Sequence, residues 1–188
     1  LGNKRTDEYS AFKVETRTRL INEVLGEIKA RAGTDFPVTL SISGYERMPG
    51  GRAIDDTQRL APELVAAGVD CFRVSGGISD ALVTMMVGRS EYGYAHNIAQ
   101  AAALKHVVDV PVMLVGRIHD PELAEQILAD GQADLIAMAR PLLADPYLPR
   151  QVLEGRPPRI RRCISCENCI DSMQTSDNLG CAINPFSG

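Results

Sequence analysis

Val110-Pro111-Val112-Met113-Leu114-Val115-Gly116-Arg117 and Ala133-Asp134-Leu135-Ile136-Ala137-Met138-Ala139-Arg140 are two short apolar runs, each ending in a small residue and an arginine. Runs of this length, bounded by turn residues, read as buried strands at residues 110–115 and 133–139. Between them Asp120-Pro121 has the form of an N-cap followed by proline in the first turn, and Gly131 has the form of a helix stop. The pair is therefore a strand–helix–strand unit, and short apolar strands joined by helices belong to a parallel sheet.

The same grammar extends towards the N-terminus. Val69 to Ser75 reads as a strand followed by Gly76-Gly77, and a helix is expected from about His96 to Val108. Upstream, Asp55 or Asp56 is the expected cap of a helix that runs to Ala67 and stops at Gly68. Residues 38–43 alternate, with Val38, Leu40 and Ile42 on one face and Thr39, Ser41 and Ser43 on the other. Leu20, Ile21, Val24, Leu25 and Ile28 recur at helical spacing within residues 14–30. A weak repeat links residues 67–74 with residues 130–138: a helix end, a glycine, an aspartate and then a strand.

Four strands do not close a (βα)8 barrel, which needs eight strands and typically about 250 residues. The sheet is either open and doubly wound or the C-terminal half of a barrel. The second reading is favoured, because polar and small residues follow each strand: Ser43-Gly44, Ser75-Gly76-Gly77, Gly116-Arg117 and Arg140. Barrel enzymes build their sites at that end, with phosphate often held after the last two strands. Gly116-Arg117 with Ala139-Arg140 forms a candidate two-part anion cradle, backbone N–H groups and guanidiniums together.

The C-terminal stretch carries different chemistry. Cys163, Cys166, Cys169 and Cys181 are spaced C-x2-C-x2-C-x11-C. Three close thiolates with a fourth from a returning loop suit a four-cysteine iron–sulfur cluster or, less well, a zinc site. The odd cysteine count of five and the absence of an apolar leader argue against a disulfide framework. The fold class expected is thus α/β: a half barrel over residues 1–155, then a loop-rich four-cysteine segment over residues 156–188.

Composition narrows the class further. At 188 residues the chain suits one domain of ordinary size, and 45% hydrophobic with 23% charged residues is usual for a soluble globular protein. A net charge of -4 and pI near 5.4 give no support to nucleic-acid binding. No apolar run reaches the ~20 residues of a membrane span, and a cytoplasmic location is expected. A start at Leu1 with polar residues after it has the look of a fragment or processed product.

Read in order, these segments resemble a known family. Asn3-Lys4-Arg5-Thr6-Asp7-Glu8-Tyr9, Val74-Ser75-Gly76-Gly77, Pro111 to Ile118, Asp120 to Glu125 and Asp134 to Pro146 are similar to the C-terminal barrel half of flavin oxidoreductases of the Old Yellow Enzyme type. The cysteine-rich tail points to the iron–sulfur branch, which includes 2,4-dienoyl-CoA reductase, enoate reductase and trimethylamine dehydrogenase. The resemblance implies FMN in the barrel, with Gly116, Arg117, Ala139 and Arg140 at its phosphate, and Ser41 and Gly76 as further contacts. It implies a [4Fe–4S] cluster on the four cysteines that relays electrons from a second flavin domain, with FAD and NAD(P)H bound outside this chain. The implied reaction is reduction of an activated C=C bond in an enoate or an enoyl or dienoyl thioester. Amine dehydrogenation is the alternative within the family, and a zinc-stabilised phosphate-binding barrel is the alternative outside it.

The chain also departs from the family pattern. Ser41 stands where the family commonly has Arg or Lys near the flavin N1/O2 edge, Ala139 replaces a usual glycine, and Ser10-Ala11 replaces Gly-Gly. No catalytic acid is identified; the proton donor is expected in the other barrel half, and a homo-oligomer is one possible assembly. Cys71 is expected as a small core residue, His119 as a cap of the next helix, and Met85 and Met86 as core or interface. Arg73, in mid-strand, is expected either to reach into the barrel or to join a buried ion pair. Arg156, Arg159, Arg161 and Arg162 read as a solvated basic run beside the cluster segment.

Overall fold

Alternating apolar residues on each short strand give the sheet one face to bury and one to leave open. The computed structural model describes residues 5–10, 14–47, 49–77, 93–175 and 178–187. Met85 and Met86 lie outside the described residues, as do Asn3 and Lys4 of the N-terminal match and Ala11 of the Ser10-Ala11 departure.

The elements are α1 (Val14–Arg17), α2 (Arg19–Ala32), β1 (Thr39–Ser43), α3 (Ile54–Ala66), β2 (Cys71–Ser75), α4 (Ile98–Lys105), β3 (Val112–Val115), α5 (Pro121–Ala129) and β4 (Leu135–Ala137). There follow α6 (Arg140–Ala144), α7 (Leu148–Leu153), a short 3-10 turn (Pro157–Arg159) and α8 (Asn168–Thr175). The strands form one parallel four-stranded sheet in the order β1-β2-β3-β4. Sequential parallel order with helical connections is the arrangement of consecutive barrel units, so the chain is half of a (βα)8 barrel.

One sheet face carries Leu40 and Ile42, Phe72 and Val74, Val112 and Leu114, and Ile136, packed against Leu60, Leu64, Leu104 and Ile127 of the helices. Phe72, Val74, Val112 and Leu114 are wholly shielded from solvent. Each such side chain contributes about 1.5–3 kcal/mol over an exposed one. The other face, which would line a closed barrel, is open: Thr39, Ser41, Arg73 and Leu135 are exposed along it. Cys71 belongs to this face, opposite Thr39, and not to the core as expected, because it alternates with buried Phe72.

The weak repeat has a physical cause. Asp70 accepts from Val38 N at 2.7 Å and Lys29 Nζ at 2.6 Å, while its own N–H donates to Val38 O at 3.0 Å. Asp134 does the same one unit later: it accepts from Val112 N at 2.9 Å and from Lys105, and donates to Val112 O at 2.8 Å. Gly68 and Gly131, with φ of +114° and +68°, end the preceding helices in backbone that side-chain-bearing residues rarely adopt. Each unit thus repeats one device, in which a glycine stops the helix and an aspartate pins the incoming strand to its neighbour.

Several local expectations need correction. The helix expected across residues 14–30 is broken at Thr18, which is buried and turns its hydroxyl to Glu63. Neither Asp55 nor Asp56 caps α3; Ala53 occupies that position and both aspartates sit in the first turn, favourable to the helix dipole. The helix expected from His96 starts at Ile98, after Asn97. Strands are shorter than their apolar runs: Val110, Pro111, Ala133 and Met138 flank the paired residues. By contrast Asp120 caps α5 as expected, accepting from Glu122 N at 3.1 Å, with Pro121 in the first turn.

Candidate anion cradle and four-cysteine pocket

The C-terminal ends of β3 and β4 open into a cavity of about 220 Å³ lined by Gly116, Arg117, His119, Ala139, Arg140 and Ile170 among others. Both arginines after the strands therefore border the same space. The register that aligns Val115 with Ala137 brings the two turns side by side. Two guanidiniums around a small cavity suit an anion, since each offers paired N–H donors and a permanent charge.

Titratable neighbours feel that charge. Burial pushes the His119 imidazole down to about 4, and Arg140 and Arg117 push the same way, against a contact to the Cys163 backbone. His96 is also held below its ordinary value, first by burial, then by Arg47, Arg140 and Arg117. Burial and the neighbouring guanidiniums thus both favour the neutral form of the two imidazoles. His119 does not cap α5. It is buried and packs edge-on against Tyr94, with ring centres 5.9 Å apart. Tyr94 in turn lies under Arg117, whose guanidinium carbon is 4.4 Å from the ring centre.

The glycines at the strand ends make room for this chain's own asparagine. A Cβ on Gly116 would stand 2.7 Å from Asn97 Nδ2, and one on Gly76 would stand 2.5 Å from Asn97 Oδ1. Asn97 is 2% exposed, donates to Val115 O at 2.8 Å and accepts from Arg47 Nη2 at 3.2 Å. Gly76 is thus placed against Asn97, between β2 and β3. Asn97 ties the ends of three units together, and nothing in its local sequence marks it except its place just before a helix.

Beyond α6 the chain turns back towards the same cavity. Buried Asp145 accepts from Tyr147 N at 3.0 Å, Gln151 Nε2 at 3.1 Å and Arg161 N at 3.0 Å, and so anchors the entry to the cysteine segment. The returning loop is fixed by Asn184, whose Nδ2 donates to Leu143 O at 2.8 Å. Cys163, Cys166, Cys169 and Cys181 then line one pocket together with Arg140, Leu143 and Glu167. All five cysteines are free thiols. Among the described residues no three His, Cys, Asp or Glu side chains converge tightly enough to ligate a single ion. Burial raises the thiols of Cys163 and Cys169, and Arg140 opposes that shift in both.

Arg140 borders the cavity and the thiol pocket alike. Arg117 makes a second link, donating from Nε to the buried Ser165 hydroxyl at 3.1 Å. Ser165 lies between two of the cysteines, and its φ of +56° kinks the loop to present that hydroxyl. Ser41 and Arg73 lie apart from this cluster, further down the open sheet face, where Arg73 Nε donates to Ser41 Oγ at 2.7 Å. Of the basic run, Arg162 pairs with Asp120 at 3.2 Å and Arg156 with Glu154, so part of it is structural. Among the described residues no helix is long and apolar enough to cross a membrane.

Comparison with known proteins agrees with this architecture. The NADH oxidase of Thermoanaerobacter brockii is 38% identical over 189 residues, covering 99% of this chain and 29% of that protein. The cinnamate reductase of Clostridium sporogenes is 37% identical over 204 residues, covering 99% of this chain and 30% of that protein. A solved complex of 2-naphthoyl-CoA reductase superposes with a TM-score of 0.89 at 29% identity, over 97% of this chain and 28% of the other. The chain thus spans less than a third of the length of each. The pattern of the NADH:flavin oxidoreductase / NADH oxidase family matches residues 1–159. On that match the chain belongs to the NADH:flavin oxidoreductase / NADH oxidase family.

Proposed function

We propose that this chain is the cofactor-bearing middle of an FMN- and iron–sulfur-dependent oxidoreductase that reduces an activated C=C bond, in an enoate or an enoyl or dienoyl thioester, with electrons from NAD(P)H. The observation that carries this reading is that Arg140 borders both the anion cavity and the four-thiol pocket. A flavin and a one-electron relay must lie close to exchange electrons, and a shared wall residue puts the two candidate sites side by side.

The residues fit both groups. Arg117 and Arg140 bring two positive charges to the cavity, and the Gly116 and Ala139 turns bring backbone N–H groups, a donor set suited to a phosphate dianion. Four thiols lining one pocket beside Arg140 suit a metal centre, and their C-x2-C-x2-C-x11-C spacing favours a multi-iron cluster over a mononuclear zinc. FMN would supply two-electron chemistry towards substrate, and the cluster would supply single-electron delivery. The chain's own part is to hold the phosphate and brace the cluster loop through Ser165. Residues 1–155 form the barrel portion and residues 156–188 the cluster segment of this reading. The rest of the barrel and a region binding FAD and NAD(P)H are the implied partners, and cytoplasmic residence fits the reduced thiols.

The test is anaerobic purification of the full-length protein with iron, zinc and flavin analysis and a visible spectrum. One FMN and about four iron atoms per site are expected, with reduction of a cinnamate- or enoyl-thioester-type alkene. Cys166→Ser is expected to remove the broad iron–sulfur absorbance. Stoichiometric zinc without iron refutes the cluster, and oxidation of an amine with no alkene reduction transfers the reading to the amine branch.

A further inference from the structure

The open sheet face carries three rows of side chains, set by the strand register. The middle row runs Ser41, Arg73, Met113, Leu135 across all four strands. Arg73 is the sole cation among the open-face strand residues Thr39, Ser41, Ser43, Cys71, Arg73, Ser75, Met113, Val115, Leu135 and Ala137. Its Nε is held by the Ser41 hydroxyl at 2.7 Å. Among the described residues no carboxylate pairs with it. That leaves the guanidinium aimed along the face with its Nη groups available.

Such a cation is costly once the face is enclosed. A charge moved into a barrel interior loses several kcal/mol of hydration unless a counter-charge lies against it. Met113 and Leu135 on one side and neutral Ser41 on the other supply none. A bound anionic group on this face would supply one. The cradle at Gly116 lies just past the C-terminal end of β3, three residues beyond Met113 and about 10 Å from this row. A mononucleotide with its phosphate in the cradle is long enough to lay its ring edge near Arg73.

We infer that Arg73, steered by the Ser41 hydroxyl, is the cation that faces the N1–O2 edge of the flavin ring and stabilises the negative charge gathered there on reduction. The inference rests on the flavin reading above and deepens it. It gives Ser41 a role as a positioning residue: the neutral side chain on β1 hands the charge to the neighbouring strand. Ser41 would then set the direction of the guanidinium, and Arg73 its electrostatics.

The experiment uses full-length FMN-loaded protein and two readouts independent of turnover: the affinity for sulfite, whose flavin adduct carries negative charge at N1, and the FMN reduction potential. Arg73→Gln is expected to weaken sulfite binding on the order of tenfold or more, the scale of one lost charge-assisted contact, and to lower the potential. Arg73→Lys is expected to retain most of the affinity, and Ser41→Ala to lose part of it. Exchange of the pair, Ser41→Arg with Arg73→Ser, is expected to restore both readouts. Unchanged sulfite affinity and potential in an Arg73→Gln protein that keeps its FMN overturns the inference and leaves the flavin reading intact. Should Arg73→Gln lose FMN, failure of the exchange variant to recover it also overturns the inference. A wild-type protein that holds no FMN sinks the flavin reading itself.

Discussion

Arg117 reaches across 48 residues of sequence to donate a 3.1 Å hydrogen bond to Ser165, so the turn after β3 and the loop between the first two clustered cysteines are physically joined. A guanidinium bond to a buried hydroxyl contributes about 1.5–3 kcal/mol, because one partner is charged. Ser165→Ala is therefore expected to lower the melting temperature and to speed loss of iron from the full-length protein. Ser165→Thr retains the hydroxyl, but its branched side chain sits badly at positive φ, so partial rescue is expected. Iron retention equal to wild type in Ser165→Ala would show that the joint has no structural weight.

Arg140 forms the other joint, and its removal is expected to act on two sites at once. Arg140→Ala should weaken FMN retention about tenfold to a hundredfold, the scale of one charge-assisted contact to phosphate. Arg140→Lys, which keeps charge but not the planar fork, should fall between. Dissociation constants from flavin fluorescence on deflavo protein give the measurement. Equal affinity in wild type and Arg140→Ala would place the phosphate elsewhere.

Much of this architecture was legible in the chain because it is local. Apolar runs and glycine stops gave the strand–helix order, and Asp120-Pro121 gave the start of α5. The half barrel followed from strand count and from the small and charged residues after each strand. The misses share a cause, which is tertiary demand on a residue with no distinctive neighbours. Thr18 breaks a periodic helix because Glu63 claims its hydroxyl. Asn97 and Asp145 are polar residues whose several partners lie on other elements. Cys71 looked like core because the run around it is apolar, yet period-2 alternation with Phe72 puts it on the open face. The link from Arg117 to Ser165 depends on where a loop returns, which no spacing encodes.

The paired aspartates make a prediction about acid. Hydrogen bonds from Lys29 and Val38 hold the Asp70 carboxyl below its ordinary value, and Lys105, then Val112, do so for Asp134. Both carboxylates bind protons more readily in the unfolded chain than in the folded one. Their contribution is then present above the unfolded value of 3.8 and is lost as pH falls through the lower folded values. Asp70→Asn and Asp134→Asn are each expected to cost about 1 kcal/mol at pH 7, low for a charged bond because solvent screens both. The difference from wild type should shrink below pH 4. Denaturant midpoints at pH 7 and pH 3 check it; a mutant deficit that grows on acidification contradicts the assignment.

The sheet edges give the last prediction, which concerns the 188-residue polypeptide expressed by itself. β1 and β4 are the terminal strands of the described sheet, and each presents one side without a strand neighbour. Leu20, Val24 and Leu135 are 59%, 49% and 44% exposed, in positions where further barrel units would cover them. Unpaired backbone beside exposed apolar side chains promotes edge-to-edge association. Closing the face instead against a second copy buries the Ser41–Arg73 row and both edges. The isolated polypeptide is therefore expected to aggregate or to pair, and to retain no stoichiometric FMN, since only one side of the ring would be walled. Sedimentation with flavin analysis decides it. A stable monomer that holds one FMN and reduces an enoate would mean that these four units suffice alone, and that the open face is a finished site and not half of one.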